Sequence, residues 1–225
     1  MMEKFFSKTT PDKILASDYE YYGKILSKLG KDSLAILKLK IAIENDTTKS
    51  ELYGEIGSVY YKIKKYPEAV INYMKKIALG RGINVNDYNY LGRSYYFSSQ
   101  FGKADTAFME VVNRQPDLAL GYLWRGKANS QLDPKNEKFL AKGFYETYLL
   151  KMKPEEKDKS KKDIEEAYAY LGYYYFVQKD YAASKFCWQN VKDLNVNKEY
   201  QEKAKKALNE PNVKSATPRD ITIKQ

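Results

Sequence analysis

The stretch Tyr88-Asn89-Tyr90-Leu91-Gly92-Arg93-Ser94-Tyr95 decides the fold, because its frame recurs along the chain. A tyrosine four residues ahead of a glycine returns as Tyr19-x-x-Tyr22-Gly23, Tyr53-x-x-Ile56-Gly57, Tyr122-x-x-Arg125-Gly126 and Tyr168-x-x-Leu171-Gly172. Successive glycines stand 34, 35, 34 and 46 residues apart. A period near 34 residues is that of stacked helical hairpins, in which each unit buries its apolar face only against its neighbours.

Working outward from Gly92, the chain places Tyr95, Ala104, Phe108 and Pro116 at offsets that recur after Gly57 as Tyr60, Ala69, Tyr73 and Arg81. After Gly23 they recur as Leu26, Ala35, Leu39 and Thr47. Glycine inside a helix costs about 1 kcal/mol relative to alanine, so its return five times implies close packing at that point. Ala35, Ala69 and Ala104 are expected to face the glycines from the second helix of each unit. Tyr60, Tyr95 and Tyr175 are expected to wedge between hairpins, with Tyr73 and Phe108 packing into the next unit. Pro116 ends a second helix because it cannot extend the hydrogen-bond ladder.

These residues resemble the tetratricopeptide repeat (TPR), and 87–116 matches it best. The resemblance implies an all-α fold, a right-handed α-solenoid of about five TPR helix-turn-helix hairpins plus a capping helix. The units are expected over about 16–49, 50–84, 85–118, 119–160 and 161–195. The fourth unit departs from the pattern: Asn129 replaces the expected tyrosine, and Leu132-Asp133-Pro134-Lys135-Asn136 makes a longer turn. Its second helix is expected over 137–152, followed by a lysine-rich connection that accounts for the 46-residue step. The fifth unit carries Ser184 and Trp188 where alanine and phenylalanine are usual. Residues 196–208 read as a polar capping helix. Residues 209–225, with Pro211 and Pro218 and no helical period, read as a flexible tail. Residues 1–15 read as the end of a preceding repeat and a linker. The chain is thus expected to be a fragment of a longer, bacterial array, with a possible homodimer through its truncated N-terminal end.

Composition narrows the chemistry. There is no histidine and one cysteine, Cys187, in a chain of 225 residues. That removes the commonest general base, the usual nucleophilic triads and any cysteine-built zinc site. With no glycine-rich phosphate loop and no acidic metal cluster, the expectation is a protein that is not an enzyme, with no catalytic residue, metal or cofactor. Glu155-Glu156 and Glu165-Glu166 are neighbours in sequence only, since adjacent helical residues do not face each other. The formal charge is +10. The lysines are interspersed with acids, as along 151–162, which reads as a solvated surface. No apolar run approaches the roughly 20 residues of a membrane span.

In the repeats this chain resembles, the first helices line a concave face and side chains one turn apart meet the ligand. Mapped here, the ligand-binding groove is expected to use Asn89, Arg93, Tyr96, Trp124, Lys127, Tyr170 and Tyr173. It is aromatic toward its C-terminal half, with Arg93 and Lys127 set among the rings. Exposed aromatics with a few cations suit an extended or helical peptide; burial of these rings by neighbouring helices is the competing reading. Some family members clamp a C-terminal carboxylate with lysine, asparagine and arginine. The equivalent positions here are Glu20, Lys24, Glu55, Asn86 and Tyr90 in one window, Gly54, Ser58, Tyr90, Leu120 and Trp124 in the next, and Asn89, Arg93, Trp124, Glu166 and Tyr170 in the third. None matches, and the glutamates would repel a carboxylate. The expected function is therefore a protein–protein interaction module or scaffold that binds a peptide or protein segment, its identity left open. The alternative is nucleic-acid or anionic-surface binding through aromatic and basic residues, disfavoured because the lysines form no concentrated stripe. The resemblance favours the periplasm or cell envelope over the cytoplasm.

Overall fold

The structure, a computed structural model, describes residues 2–10 and 13–222. It is all-helical among these residues, and the chain divides into two compact units, Met1–Val111 and Val112–Gln225.

The first unit opens with the short helix α1 (Met2–Lys8). Three hairpins follow: α2 (Ala16–Lys28) with α3 (Asp32–Asn45), α4 (Leu52–Lys62) with α5 (Tyr66–Leu79), and α6 (Val85–Phe97) with α7 (Phe101–Arg114), whose last turn crosses the unit boundary. Helix starts carry local signals. Pro67 opens α5, where its missing N–H costs nothing. Asn84 and Asp87 cap α6 reciprocally, each side chain accepting the other's backbone N–H at 3.2 and 2.8 Å. The turn inside each hairpin needs one left-handed residue, supplied by Gly30 (φ 75°), Lys64 (φ 60°) and Ser99 (φ 58°), seven residues after the repeated glycine. The following N–H groups close back on the helix, Lys31 to Leu26 O, Lys65 to Tyr60 O and Gln100 to Tyr95 O, each at 2.9 Å.

The glycines face the second helix as expected, but the nearest side chain is a large one rather than the alanine, with Ala35 O at 3.2 Å also near a Cβ at Gly23. A Cβ at Gly23 would stand 2.7 Å from Leu39, at Gly57 3.0 Å from the Tyr73 ring, and at Gly92 2.7 Å from the Phe108 ring. The close approach is thus made by the large residue sixteen positions later, within the same hairpin, and the alanines fill the rest of the seam, fully buried. Tyr73 does also stack on Tyr90 of the following helix, at 6.0 Å and 6°. Ile36, Leu39, Ala42, Ile43, Leu52, Ile56 and Val59 join the first two hairpins in one core. Lys76 on α5 and Asp87 on α6 pair at 2.7 Å with side chains only 8% and 6% exposed. Gly54 leaves room for that lysine, since a Cβ there would come within 2.9 Å of its Cδ. At the front, Phe6 stacks on Tyr22 at 5.0 Å and leans on Tyr19 at 5.1 Å, with the Lys38 ammonium 5.2 Å from its ring.

The second unit holds α8 (Ala119–Leu132) with α9 (Lys142–Lys151), then α10 (Lys161–Val177) with α11 (Tyr181–Leu194), then α12 (Lys198–Asn209) and α13 (Pro211–Ser215). A Cβ at Gly126 would meet Tyr145 at 2.9 Å, and one at Gly172 would meet Trp188 at 2.8 Å. Tyr145 lies nineteen positions after its glycine rather than sixteen, because the turn after α8 is longer. That turn also delays α9, which starts at Lys142 rather than near 137. The buried Asp133 carboxylate organises the intervening residues, accepting the N–H of Glu137 and Lys138 at 2.9 Å and of Leu140 at 3.4 Å. Residues 133–141 therefore fold around a side chain instead of into a helix. Asn136 (φ 55°) and Phe139 (φ 52°) take left-handed conformations within it.

Residues 209–222 depart from the flexible tail expected over 209–225, of which 223–225 lie outside the described residues. Val213 on α13 is fully buried. Lys185 on α11 donates to Lys214 O at 2.7 Å and Ala216 O at 2.8 Å, satisfying carbonyls at the end of α13. The Arg219 N–H donates to Ala182 O at 3.1 Å, and its guanidinium pairs with Asp180. The segment has little helical period because widely spaced apolar anchors, Val213 and the partly buried Ile221, and these cations hold it in place.

Candidate functional site

The second unit contains a groove of about 830 Å³ bounded by α10, α12 and the turn after α8. Its α10 wall carries Tyr170, Tyr173 and Phe176, residues three apart that share one helix face. Tyr173 is 46% exposed. Phe139, from the Asp133-ordered turn, braces this wall: its ring lies 6.2 Å from Tyr170, 5.9 Å from Tyr173 and 5.0 Å from Tyr174. Tyr170 also leans on Tyr145 at 5.1 Å, and its hydroxyl accepts the Ala141 N–H at 3.3 Å. Burial pushes the Tyr170 phenol up to about 12, so it stays neutral at ordinary pH. The turn contributes Lys135 and Asn136, and the end of α8 contributes Ser130 and Gln131. The opposite wall is α12, with Tyr200, Lys203, Lys206 and Ala207.

The position of α12 is set by Glu165, a fully buried carboxylate on α10. It accepts the Val196 N–H at 2.9 Å, the Asn197 N–H at 2.8 Å and the Gln201 amide at 3.1 Å. Asn197 in turn caps α12, its side chain accepting the Glu199 N–H at 2.9 Å. Glu166, the next residue, faces the groove with both oxygens engaged: Lys127 donates at 2.6 Å and the Tyr145 hydroxyl at 2.9 Å. Lys127 also meets Asp163 at 3.1 Å. Its burial would lower the ammonium pKa, but the Glu166 and Asp163 carboxylates outweigh that and hold it above the ordinary lysine value. Its charge is spent inside the unit, fixing α8 to α10.

Of the seven residues expected to line the groove, Asn89, Arg93 and Tyr96 belong to the first unit and Trp124, Lys127, Tyr170 and Tyr173 to the second. Tyr170 and Tyr173 stand together on the groove wall. Trp124, 9% exposed, lies beside Lys127, whose ammonium is 5.8 Å from its ring. In the first unit, Asn89 is buried on α6. Arg93 lies over Tyr61 and Tyr90, at 5.3 and 5.9 Å. Tyr96 sits edge-on between Phe97 and Phe101, at 5.5 and 5.4 Å. Sequence reasoning missed Phe139, Tyr200, Lys203 and Lys206. The signals were present as the 46-residue step and as apolar residues spaced along the polar 198–208 helix, but neither says which face a capping helix turns inward.

Among the described residues, no group of three or more His, Cys, Asp or Glu side chains is placed to hold a metal ion. Nor is any helix among them long and apolar enough to cross a membrane. Burial pushes the Cys187 thiol up, away from the reactive thiolate.

The chain is similar to the crystallised C-terminal part of a TPR repeat-containing protein from Cytophaga hutchinsonii. The two share 37% identity over 92% of this chain and 78% of the other, with a TM-score of 0.76. The chain is a tetratricopeptide-repeat protein. The Cytophaga relative also fits the expected bacterial origin. The fold of this TPR protein is shared by YrrB, a TPR protein with an unusual peptide-binding site, at 18% identity over 85% of this chain and 92% of that one, TM-score 0.67. It is shared as well by pilF of Pseudomonas aeruginosa, at 12% identity over 85% and 82% of the two chains, TM-score 0.61. No family model matches the chain, and no curated protein sequence does.

Proposed function

We propose that this TPR protein is a protein-interaction module and that the groove of its second unit receives a peptide or protein segment. The observation that carries the reading is the α10 wall: Tyr173, half-exposed, continues through Tyr170 and Phe176 into an open groove whose rim holds side-chain amides. Aromatic rings give large contact area at low entropic cost. Gln131 and Asn136 can pair with the backbone of a bound segment. A groove of this volume falls in the range of ligand-binding clefts. The peptide-binding site of YrrB, which shares the fold, supports the class of ligand.

A random peptide library displayed on phage tests this. Selection on the parent chain should enrich binders that are lost on a Tyr173→Ala chain of unchanged helical circular dichroism. Selection that enriches nothing, or peptides that bind both chains alike, refutes the groove.

A further inference from the structure

Granted the peptide groove proposed above, we infer that its occupant is acidic: a short segment with an aromatic or aliphatic anchor flanked by aspartate or glutamate. The charges that face the groove are Lys135, Lys203 and Lys206 on the one hand and Glu166 and Glu210 on the other. These do not cancel. Glu166 is engaged from within by the Lys127 ammonium at 2.6 Å, which it shares with Asp163, and its second oxygen takes the Tyr145 hydroxyl. Lys203 has a partner in Glu199, at 2.6 Å, but that glutamate lies one turn back on α12 and does not line the groove. With side chains 54% and 71% exposed, such a pair is weak and exchanges readily for a ligand carboxylate. Three cations thus stand against Glu210 and a Glu166 already drawn to Lys127.

Their placement matters as much as their number. Lys203 and Lys206 are three apart on α12 and share a face. Lys135 comes from the turn after α8. The aromatic wall of Tyr170, Tyr173 and Phe176 belongs to a third element, α10. A segment that seats an apolar side chain on this wall brings its flanking residues toward lysines on both sides. Acidic flanks there gain from each cation, whereas basic flanks meet like charges at each. A single-stranded nucleic acid could also stack on the rings, but a phosphate backbone needs a continuous cationic track. Here the cations come from two separate elements, and the Glu210 carboxylate lines the same groove.

The test uses the phage-displayed random library, read for composition, on the parent chain, on Tyr173→Ala and on Lys203→Glu/Lys206→Glu. Both lysines are exposed, so the double reversal leaves the fold intact, which circular dichroism checks. Peptides enriched in a Tyr173-dependent way should carry Asp or Glu around an apolar anchor. One of them, made synthetically, should bind the double reversal at least about tenfold more weakly at low salt, and the parent less tightly as salt rises. On the double reversal the library should turn to Lys- and Arg-flanked peptides. Tyr173-dependent peptides that are neutral or basic on the parent overturn the acidic occupant and leave the groove standing. No Tyr173-dependent enrichment removes the groove and the inference together. Labelled oligothymidylate that displaces the acidic peptide from the parent, and loses affinity on the double reversal, reassigns the site to single strands.

Discussion

Replacing Gly92 by alanine separates two opposed effects whose sizes the structure sets. In the interior of α6, alanine gains about 1 kcal/mol of helix propensity over glycine. The new Cβ would, however, stand 2.7, 2.8 and 2.9 Å from three ring carbons of Phe108, where carbon–carbon contacts prefer about 3.5–4.0 Å. Phe108 is fully buried and has no open side to swing toward. Inserting a methyl group into a packed seam of this kind costs about 1–3 kcal/mol. Gly92→Ala should therefore lose about 1 kcal/mol net, rising toward about 2 if the ring is held rigidly. Gly102, in the first turn of α7, is the control. A Cβ there meets nothing within 4 Å, so Gly102→Ala should gain about 0.5 kcal/mol from propensity alone. Urea unfolding followed by circular dichroism would give both midpoints. The pair Gly92→Ala/Phe108→Leu adds a cycle: the smaller side chain should relieve the clash, so the double variant loses less than the sum of the singles, by about 1 kcal/mol. A Gly92→Ala chain as stable as Gly102→Ala, with no coupling to Phe108, would refute the close-approach explanation of the repeated glycine.

Two further outcomes follow from buried polar groups. Glu165→Gln leaves one acceptor oxygen for the donors of Val196, Asn197 and Gln201 and turns an amide toward the rest. It should cost about 1.5–3 kcal/mol and loosen α12, read as faster amide hydrogen exchange in 198–209. Burial pushes the phenols of Tyr73, Tyr148 and Tyr168 well up from their ordinary value. Above about pH 10 the unfolded chain releases protons that these folded tyrosines keep, so stability falls as pH rises, by about 1.4 kcal/mol per pH unit for each. Part of the tyrosinate absorbance should then appear only as helical circular dichroism is lost; complete ionisation of a still-helical chain would contradict it.

The hairpins were legible in the sequence because a repeat states its constraints several times. Gly23, Gly57, Gly92, Gly126 and Gly172 mark one packing requirement, and the helix period and turn chemistry around them follow from local rules. What faces those glycines was not legible. An alanine and a large side chain both follow at fixed offsets, and only the angle at which two helices cross decides which reaches the bare backbone. The structure gives that place to Leu39, Tyr73, Phe108, Tyr145 and Trp188. The candidate groove was half legible: Tyr170 and Tyr173 stood out as aromatics on a first helix. Lys127, the cation expected beside them, proved to be consumed by Asp163 and Glu166, acids 36 and 39 residues away in sequence.

The sequence by itself determined the all-helical class, the hairpin unit and its repetition, because backbone hydrogen bonding and the periodic burial of apolar residues are local. Only the tertiary structure decided which charges remain free and which surface is open. Asp133 turns its carboxylate onto three backbone N–H groups and so shapes the loop that carries Lys135 and Phe139. Glu165 holds the start of α12 across thirty residues of chain and so brings Lys203 and Lys206 to face the tyrosines. Pairing of this kind depends on distance through space, and a one-dimensional pattern does not contain it.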